Sequence, residues 1–172
     1  MKPKNLYLLV GAPGSGKSYW ATDLSKRMGY NHISRDDIRF SMLKDGDNYF
    51  THEDEVFEKF KNEIQKSLDE TGHAIADATH LNQFSRYKLL SQLKLDDVYV
   101  IAVKFDVPIE LCLERNKQRK GRSVVPETAL RKMHRSITDP YNDQLNTFDA
   151  VWYIDETGKC KVVKTHYDMA NI

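Results

Sequence analysis

The stretch Leu6-Tyr7-Leu8-Leu9-Val10-Gly11-Ala12-Pro13-Gly14-Ser15-Gly16-Lys17-Ser18 decides how the rest of the chain is read. Leu6 to Val10 is an apolar run of strand length bounded by Gly11, and the periodicity from Lys17 to about Met28 is helical. Strand, glycine loop and helix follow one another without a break. Gly11 to Ser18 matches G-x-x-x-x-G-K-[ST] in the context that gives this pattern its meaning, directly after a strand and at the mouth of a helix. Phosphate oxygens need several converging N–H donors. Glycines let the loop from Gly11 to Gly16 bend around them, and the helix N-terminus adds partial positive charge. Lys17 then places a mobile ammonium on the outer phosphates, and the Ser18 hydroxyl is suited to ligate the accompanying magnesium. The alternative, a glycine turn that only starts a helix, leaves the full match without a reason.

Outward from this loop, a short extended piece is expected at His32 to Ser34, followed by loop around Asp45 to Asn48. Val56, Phe57, Phe60, Ile64 and Leu68 then recur at helical spacing up to Gly72, with Thr51 and Asp54 at capping-box spacing before them. His73 to Asp77 reads as a strand, Phe84 to Leu93 as a helix, and Val98 to Phe105 as a strand buried on both faces. Pro108 and Pro126 sit where first helical turns tolerate proline, opening helices to about Lys117 and Ile137. Ala150 to Ile154 is a last strand that Glu156 to Lys159 can turn into a hairpin with Lys161 to Lys164. Strands alternating with helices imply an α/β fold, a parallel sheet covered on both sides. No internal repeat or linker divides the chain, so a single domain over residues 1–172 is expected.

At this size a domain buries roughly 70% of its unfolded surface and needs neither disulfide nor metal to be stable. Cys112 and Cys160 have no metal-ligand spacing and read as plain thiols in a reducing compartment. The apolar run near the N-terminus is too short for a membrane span or a signal peptide, so a cytoplasmic protein without a membrane partner is expected. Lysine plus arginine (26) and aspartate plus glutamate (25) nearly cancel. Attraction to nucleic acid must therefore come from a local patch.

Three further patches carry chemistry. Ser34-Arg35-Asp36-Asp37-Ile38-Arg39 follows the second strand, whose end lies on the same sheet edge as the phosphate loop. A carboxylate there can take the proton of an attacking hydroxyl, and Arg39, one helical turn on, can bind a substrate anion. The alternative makes Asp36 or Asp37 the N-cap of the next helix. Ile75-Ala76-Asp77-Ala78-Thr79-His80 is an apolar strand ending in Asp77, which can reach the magnesium shell or the substrate together with Thr79. Asp77 and Thr79 can equally cap the helix starting near Asn82. His80 reads as polar surface without a catalytic part. From Arg115 to Arg122 the chain holds Arg115, Lys117, Arg119, Lys120 and Arg122 with no acid between them. Arg115 and Arg119, four apart, would share one helix face aimed at the donor phosphates, and Gly121 would hinge a lid over residues 115–137.

In this order the patches resemble the kinase domain of the bacteriophage-type polynucleotide 5′-hydroxyl kinases. The residues that carry the likeness are G-A-P-G-S-G-K-S with Trp20 following, R-D-D-I-R, D-A-T-H-L-N, F-D-V-P, and E-R-N-K-Q-R before V-V-P-E, over about Leu6 to Ile137. The resemblance implies a P-loop kinase that moves the γ-phosphate of ATP, with Mg2+, to the 5′-hydroxyl end of a nucleic acid. It implies Asp36 as general base, Arg39 on the phosphate at the 3′ side of the accepting nucleoside, Arg119 as lid arginine on the donor phosphates, and Arg115 as a second. Lys17 and Ser18 keep their roles. The chain departs at His80, where the family often has asparagine. It also lacks D-x-D-G-T in the roughly 35 residues after Ile137, so removal of 3′-phosphates is not expected. The rivals are a kinase for a hydroxymethylated DNA base or a small-molecule hydroxyl, which the same base and lid would serve, and a nucleotide-gated binding module.

Overall fold

The computed structural model describes residues 3–164; residues 1–2 and 165–172 of the expected single domain lie outside the described residues. Fourteen elements in chain order include six strands, β1 (Lys4–Val10), β2 (His32–Ser34), β3 (His73–Asp77), β4 (Val98–Asp106), β5 (Ala150–Asp155) and β6 (Cys160–Lys164). The α-helices are α1 (Lys17–Met28), α2 (Arg35–Met42), α3 (Glu53–Thr71), α4 (Gln83–Leu90), α5 (Ile109–Lys117) and α6 (Glu127–Ser136). The strands form one sheet in the order β2-β3-β1-β4-β5-β6, parallel except for β6, which pairs antiparallel to β5 as the expected hairpin.

β1 shows why the sheet is covered on both sides. Its side chains alternate between two cores: Leu6 and Leu8 pack on one face with Val56, Phe60 and Ile64 of α3, while Tyr7 and Leu9 pack on the other with Ala21 and Leu24 of α1. In β4, Val100 and Ala102 join the first core and Ile101 and Val103 the second. A period of two with no polar face requires helices above and below. Leu6, Leu8 and Leu9 are fully buried, each contributing about 1.5–3 kcal/mol by removal from water.

The helix boundaries depart from the sequence pattern in three places. Thr51 does not cap α3: its Oγ1 accepts from the Asn48 N–H in the preceding turn at 2.9 Å, and His52 takes the cap position without a side-chain bond. The helix expected over Phe84 to Leu93 runs Gln83–Leu90, opened by a reciprocal capping box between Asn82 and Ser85. That box also removes Asp77 and Thr79 as caps of α4. Finally, α5 ends at Lys117, so Arg115 and Arg119 do not share a helix face. Arg119 lies in the turn beyond, where its N–H bonds to the Asn116 carbonyl at 3.1 Å.

The parallel register gathers the functional elements at one sheet edge. Ser34 pairs with Asp77, and β1 runs beside β3 into the phosphate loop. No helix among the described residues is long and apolar enough to cross a membrane. Cys112 is buried and Cys160 exposed, both as free thiols.

Candidate active site

The phosphate loop is built by two left-handed glycines and a close approach. Gly14 (φ 81°) and Gly16 (φ 94°) turn the chain into α1, with Gly16 at its N-cap. A Cβ on Gly14 would stand 2.7 Å from the Cys112 carbonyl oxygen. Any larger residue there would thus meet both backbone strain and the backbone of α5. Arg115 reinforces the approach, its Nη1 donating to the Gly14 carbonyl at 3.2 Å. Lys17 is buried, and its Nζ donates to the Ala12 carbonyl at 3.0 Å, inside the loop. Burial pulls the ammonium below its ordinary range against the raising influence of Asp77, with Arg119 adding to the depression. A cation so placed gains from an incoming polyanion.

Ser18 Oγ donates to Asp77 Oδ2 at 2.8 Å, and His32 Nε2 donates to the same oxygen at 2.7 Å. Burial works to raise the Asp77 carboxyl, but the His32 hydrogen bond, the Lys17 charge and the Ser18 hydroxyl outweigh it and hold the group below the usual carboxylate range. Among the described residues no group of three or more histidine, cysteine or acidic side chains could hold a metal. Magnesium on a nucleotide needs only one or two protein oxygens, the rest being phosphates and water. Ser18 and Asp77, bonded to each other beside the loop, fit that requirement.

The Arg-Asp-Asp patch directly follows β2 as expected and forms the first turn of α2, with Ser34 as its cap, accepting from the Asp37 N–H at 3.2 Å. Neither aspartate is therefore needed as an N-cap. Asp36, Arg39, Lys17, Ser18, Asp77, Thr79 and Arg119 all line one cavity of about 540 Å³, together with Pro13 of the loop. Asp37 does not line it. Five cations and three carboxylates face the cavity (Lys17, Arg35, Arg39, Arg119 and Arg122 against Asp36, Glu53 and Asp77). The excess of positive charge suits a phosphorylated occupant.

Arg39 is buried and tightly held. Its Nη2 reaches both carboxylate oxygens of Glu53, at 3.0 and 2.9 Å, its Nη1 donates to Asp36 Oδ1 and to the Tyr49 hydroxyl (2.6 Å), and its guanidinium lies 4.1 Å from the Tyr49 ring centroid. The Tyr49 hydroxyl donates to Asp36 Oδ1 at 2.7 Å. Burial, with the neighbouring Asp36 charge, pushes its pKa up, so it stays a donor. Both bonds to Asp36 go to Oδ1; among the described residues Oδ2 has no partner. Glu53 also receives Arg35 at 2.5 Å.

Sequence patterns give no sign of Tyr49 or Glu53: one belongs to a polar loop, the other to a run of three acids that reads as an ordinary helix start. Arg119 faces the cavity and spends one Nη1 bond on the Ser123 carbonyl at 3.3 Å. Arg122 donates to the Lys44 carbonyl at 3.0 Å, which ties the segment after α5 to the loop between α2 and α3.

His80 is not surface. It is buried, with φ at 43°, and its Nδ1–H donates to the Leu9 carbonyl at 2.7 Å, while Thr79 accepts from the Gly11 N–H at 3.0 Å. The end of β3 thus pins both sides of the β1 terminus. Histidine, like asparagine, is among the residues enriched at positive φ, so the departure at His80 keeps the turn that ends β3. Burial pushes the His80 imidazole down to about 4. Between pH 6.5, the ordinary histidine value, and about 4, the unfolded chain binds a proton that the folded chain refuses. Stability is therefore lost as pH falls through that window, on the order of 1 kcal/mol per pH unit. Urea titrations at stepped pH are expected to show this slope in the native chain and a flatter one in His80→Asn; identical slopes would contradict the assignment.

A glycine loop on a helix N-terminus, a strand-end carboxylate bonded to the loop serine, and a basic segment over the cavity together define a P-loop nucleotide-binding protein of the kinase type. In agreement, the chain belongs to the AAA domain family, whose model it matches over residues 6–140. It is similar to a cytidylate kinase of Halorubrum lacusprofundi, 29% identical over 161 residues, 86% of this chain and 79% of that protein. Among solved structures, a chain of the Pnkp1/Rnl/Hen1 RNA repair complex superposes with a TM-score of 0.71 at 22% identity, covering 95% of this chain and 49% of that one. A fungal RNA kinase superposes with a TM-score of 0.62 at 17% identity, covering 88% and 73%. At these identities the solved structures speak for the fold, and this chain spans about half the length of the RNA repair chain.

Proposed function

We propose that the protein transfers the γ-phosphate of ATP to the 5′-hydroxyl end of DNA or RNA. The observation that carries this reading is the presence of Asp36, Lys17 and Arg119 on one cavity, with Asp36 Oδ2 receiving no hydrogen bond among the described residues. A nucleoside monophosphate offers an acceptor phosphate that is already ionised and needs no base. A hydroxyl must lose a proton, and a carboxylate beside the Walker lysine is the group to take it. The RNA repair and RNA kinase structures that share the fold add support for a nucleic-acid acceptor.

When bound, ATP supplies the phosphoryl group and Mg2+ neutralises its oxygens. Backbone N–H groups of Gly14, Gly16 and the first turn of α1 hold the donor phosphates, Lys17 and Arg119 face the charge that spreads over the migrating group, and Arg115 stays on the loop. Ser18 and Asp77 provide the oxygens for the metal shell. Asp36 Oδ2 takes the acceptor proton while Oδ1 is fixed by Arg39 and Tyr49. Arg39, with Thr79 on the same wall, binds the phosphate on the 3′ side of the accepting nucleoside by giving up its Nη1 bond to Tyr49, because Glu53 and Asp36 hold its other donors.

Transfer of labelled phosphate from ATP is expected with a 5′-hydroxyl oligonucleotide and not with cytidine monophosphate, hydroxymethylated duplex DNA or polyols; the reverse pattern would overturn the reading. For Arg39→Ala, KM for acceptors bearing a 3′-phosphate is expected to rise about 10- to 100-fold, since a charge-assisted contact contributes about 1.5–3 kcal/mol. Unchanged acceptor kinetics would remove Arg39 from the site.

A further inference from the structure

Beside its charged groups the cavity carries apolar surface from two separate elements: Phe40 and Phe50 from α2 and the loop after it, and Val124, Val125 and Met133 from the lid segment. The Arg122 bond to the Lys44 carbonyl holds these two elements together. Phe50 lines the cavity and is nevertheless 64% exposed. Its ring is not adrift. Tyr49 meets it edge-on, centroids 4.9 Å apart at 83°, and Tyr49 is itself fixed by Arg39 over its ring and by its hydroxyl on Asp36. An open aromatic face is thereby connected through one residue to the two side chains that would handle the accepting nucleoside.

Resting on the acceptor reading above, we propose that Phe50 is a stacking platform for the terminal nucleobase of the acceptor strand. A base laid on the open face of Phe50 has the apolar lid residues of the same cavity for its remaining surroundings, and its sugar is directed toward Asp36. Every base has a π face, so such a platform selects for the presence of a base and not for its identity. It also disfavours polyol acceptors, whose hydroxyls would lose water against apolar groups without gaining hydrogen bonds.

The test compares 5′-hydroxyl oligonucleotides ending in each of the four nucleosides with one ending in an abasic tetrahydrofuran residue. The native protein is expected to use the four bases within about 3-fold of one another and the abasic end about 5- to 100-fold less well, mainly through KM, the range that stacking on one aromatic supports. Phe50→Ala is expected to bring base-bearing ends down to the abasic level with ATP affinity and melting temperature retained. Phe50→Trp should preserve the preference. Phe50→Leu, which keeps an apolar side chain but has no π face, should lose it. Equal use of abasic and base-bearing ends by the native protein, or a Phe50→Leu variant with native kinetics, would overturn the platform while leaving the acceptor reading intact. Failure to phosphorylate any oligonucleotide would instead refute the acceptor reading, and the platform with it.

Discussion

Asp36→Ala is expected to reduce phosphoryl transfer to a 5′-hydroxyl by at least 100-fold, in the range of about 10²–10⁴ that a positioned general base supplies. ATP affinity should change little, because the phosphate loop, Lys17 and Arg115 are untouched. The side chain is half exposed, and Ser34, not Asp36, caps α2. The substitution does free an Nη1 bond of Arg39 and the Tyr49 hydroxyl proton, but Glu53 still holds that guanidinium through two oxygens and Arg39 still donates to the Tyr49 hydroxyl. Loss should therefore appear in kcat and leave the melting temperature close to native. Single-turnover transfer and equilibrium nucleotide binding separate the two effects. A variant that binds ATP poorly yet turns over normally would disqualify Asp36 as base, as would transfer within a few-fold of native.

The second large effect concerns stability. Arg86 and Asp143 form an ion pair with side chains 0% and 2% exposed. Arg86 Nε donates to Asp143 Oδ2 at 2.8 Å and Nη2 to Oδ1 at 2.5 Å, while its remaining donors reach the His80 carbonyl and Thr138 Oγ1, both at 2.8 Å. Asp143→Ala leaves a buried guanidinium without its counterion, a loss of about 3–5 kcal/mol. For a chain of this size that corresponds to a melting temperature lower by about 6–20 °C. Replacing both partners together, Arg86→Met with Asp143→Leu, should recover a good part of the loss, because no charge is then stranded. A melting temperature within 2 °C of native for Asp143→Ala would show that the pair is not isolated from water. Because Arg86 also holds the His80 carbonyl, Asp143→Ala should loosen the β1 terminus as well.

What could be read from residues alone follows from how local each signal is. The phosphate loop, β1 and α1 are legible because one motif fixes strand, turn and helix within Leu6 to Met28, and β4 because Val98 to Phe105 is apolar on both faces. The terminal hairpin follows from its turn, where Gly158 takes φ 83°. The site is legible to the extent that chain order maps onto a sheet edge: Asp36, Arg39, Asp77 and Thr79 meet because β2 and β3 end side by side. Features decided by particular contacts and not by periodicity are not visible. His80 looks like any loop histidine until the Leu9 carbonyl claims its ring nitrogen. Thr51 has capping spacing, but its hydroxyl is taken by Asn48. Arg115 and Arg119 have helical spacing, yet α5 stops between them. Glu53, Tyr49, Arg86 and Asp143 carry no local signal, since an ion pair or hydroxyl bond across the fold leaves no trace in periodicity.

The strand that enters the sheet first in sequence is its centre. β1 pairs with β3 through Asn5 and His73 and with β4 through Lys4 and Val98. Both partners are distant in the chain, and neither can be supplied locally. During synthesis the nucleotide loop at the end of β1 must therefore wait, unshaped, until the chain has been extended as far as β4. The strand made before its partners is thus shaped only after them, and a nascent chain truncated before Val98 would display an apolar strand with one flank unpaired, a species for chaperones to shield.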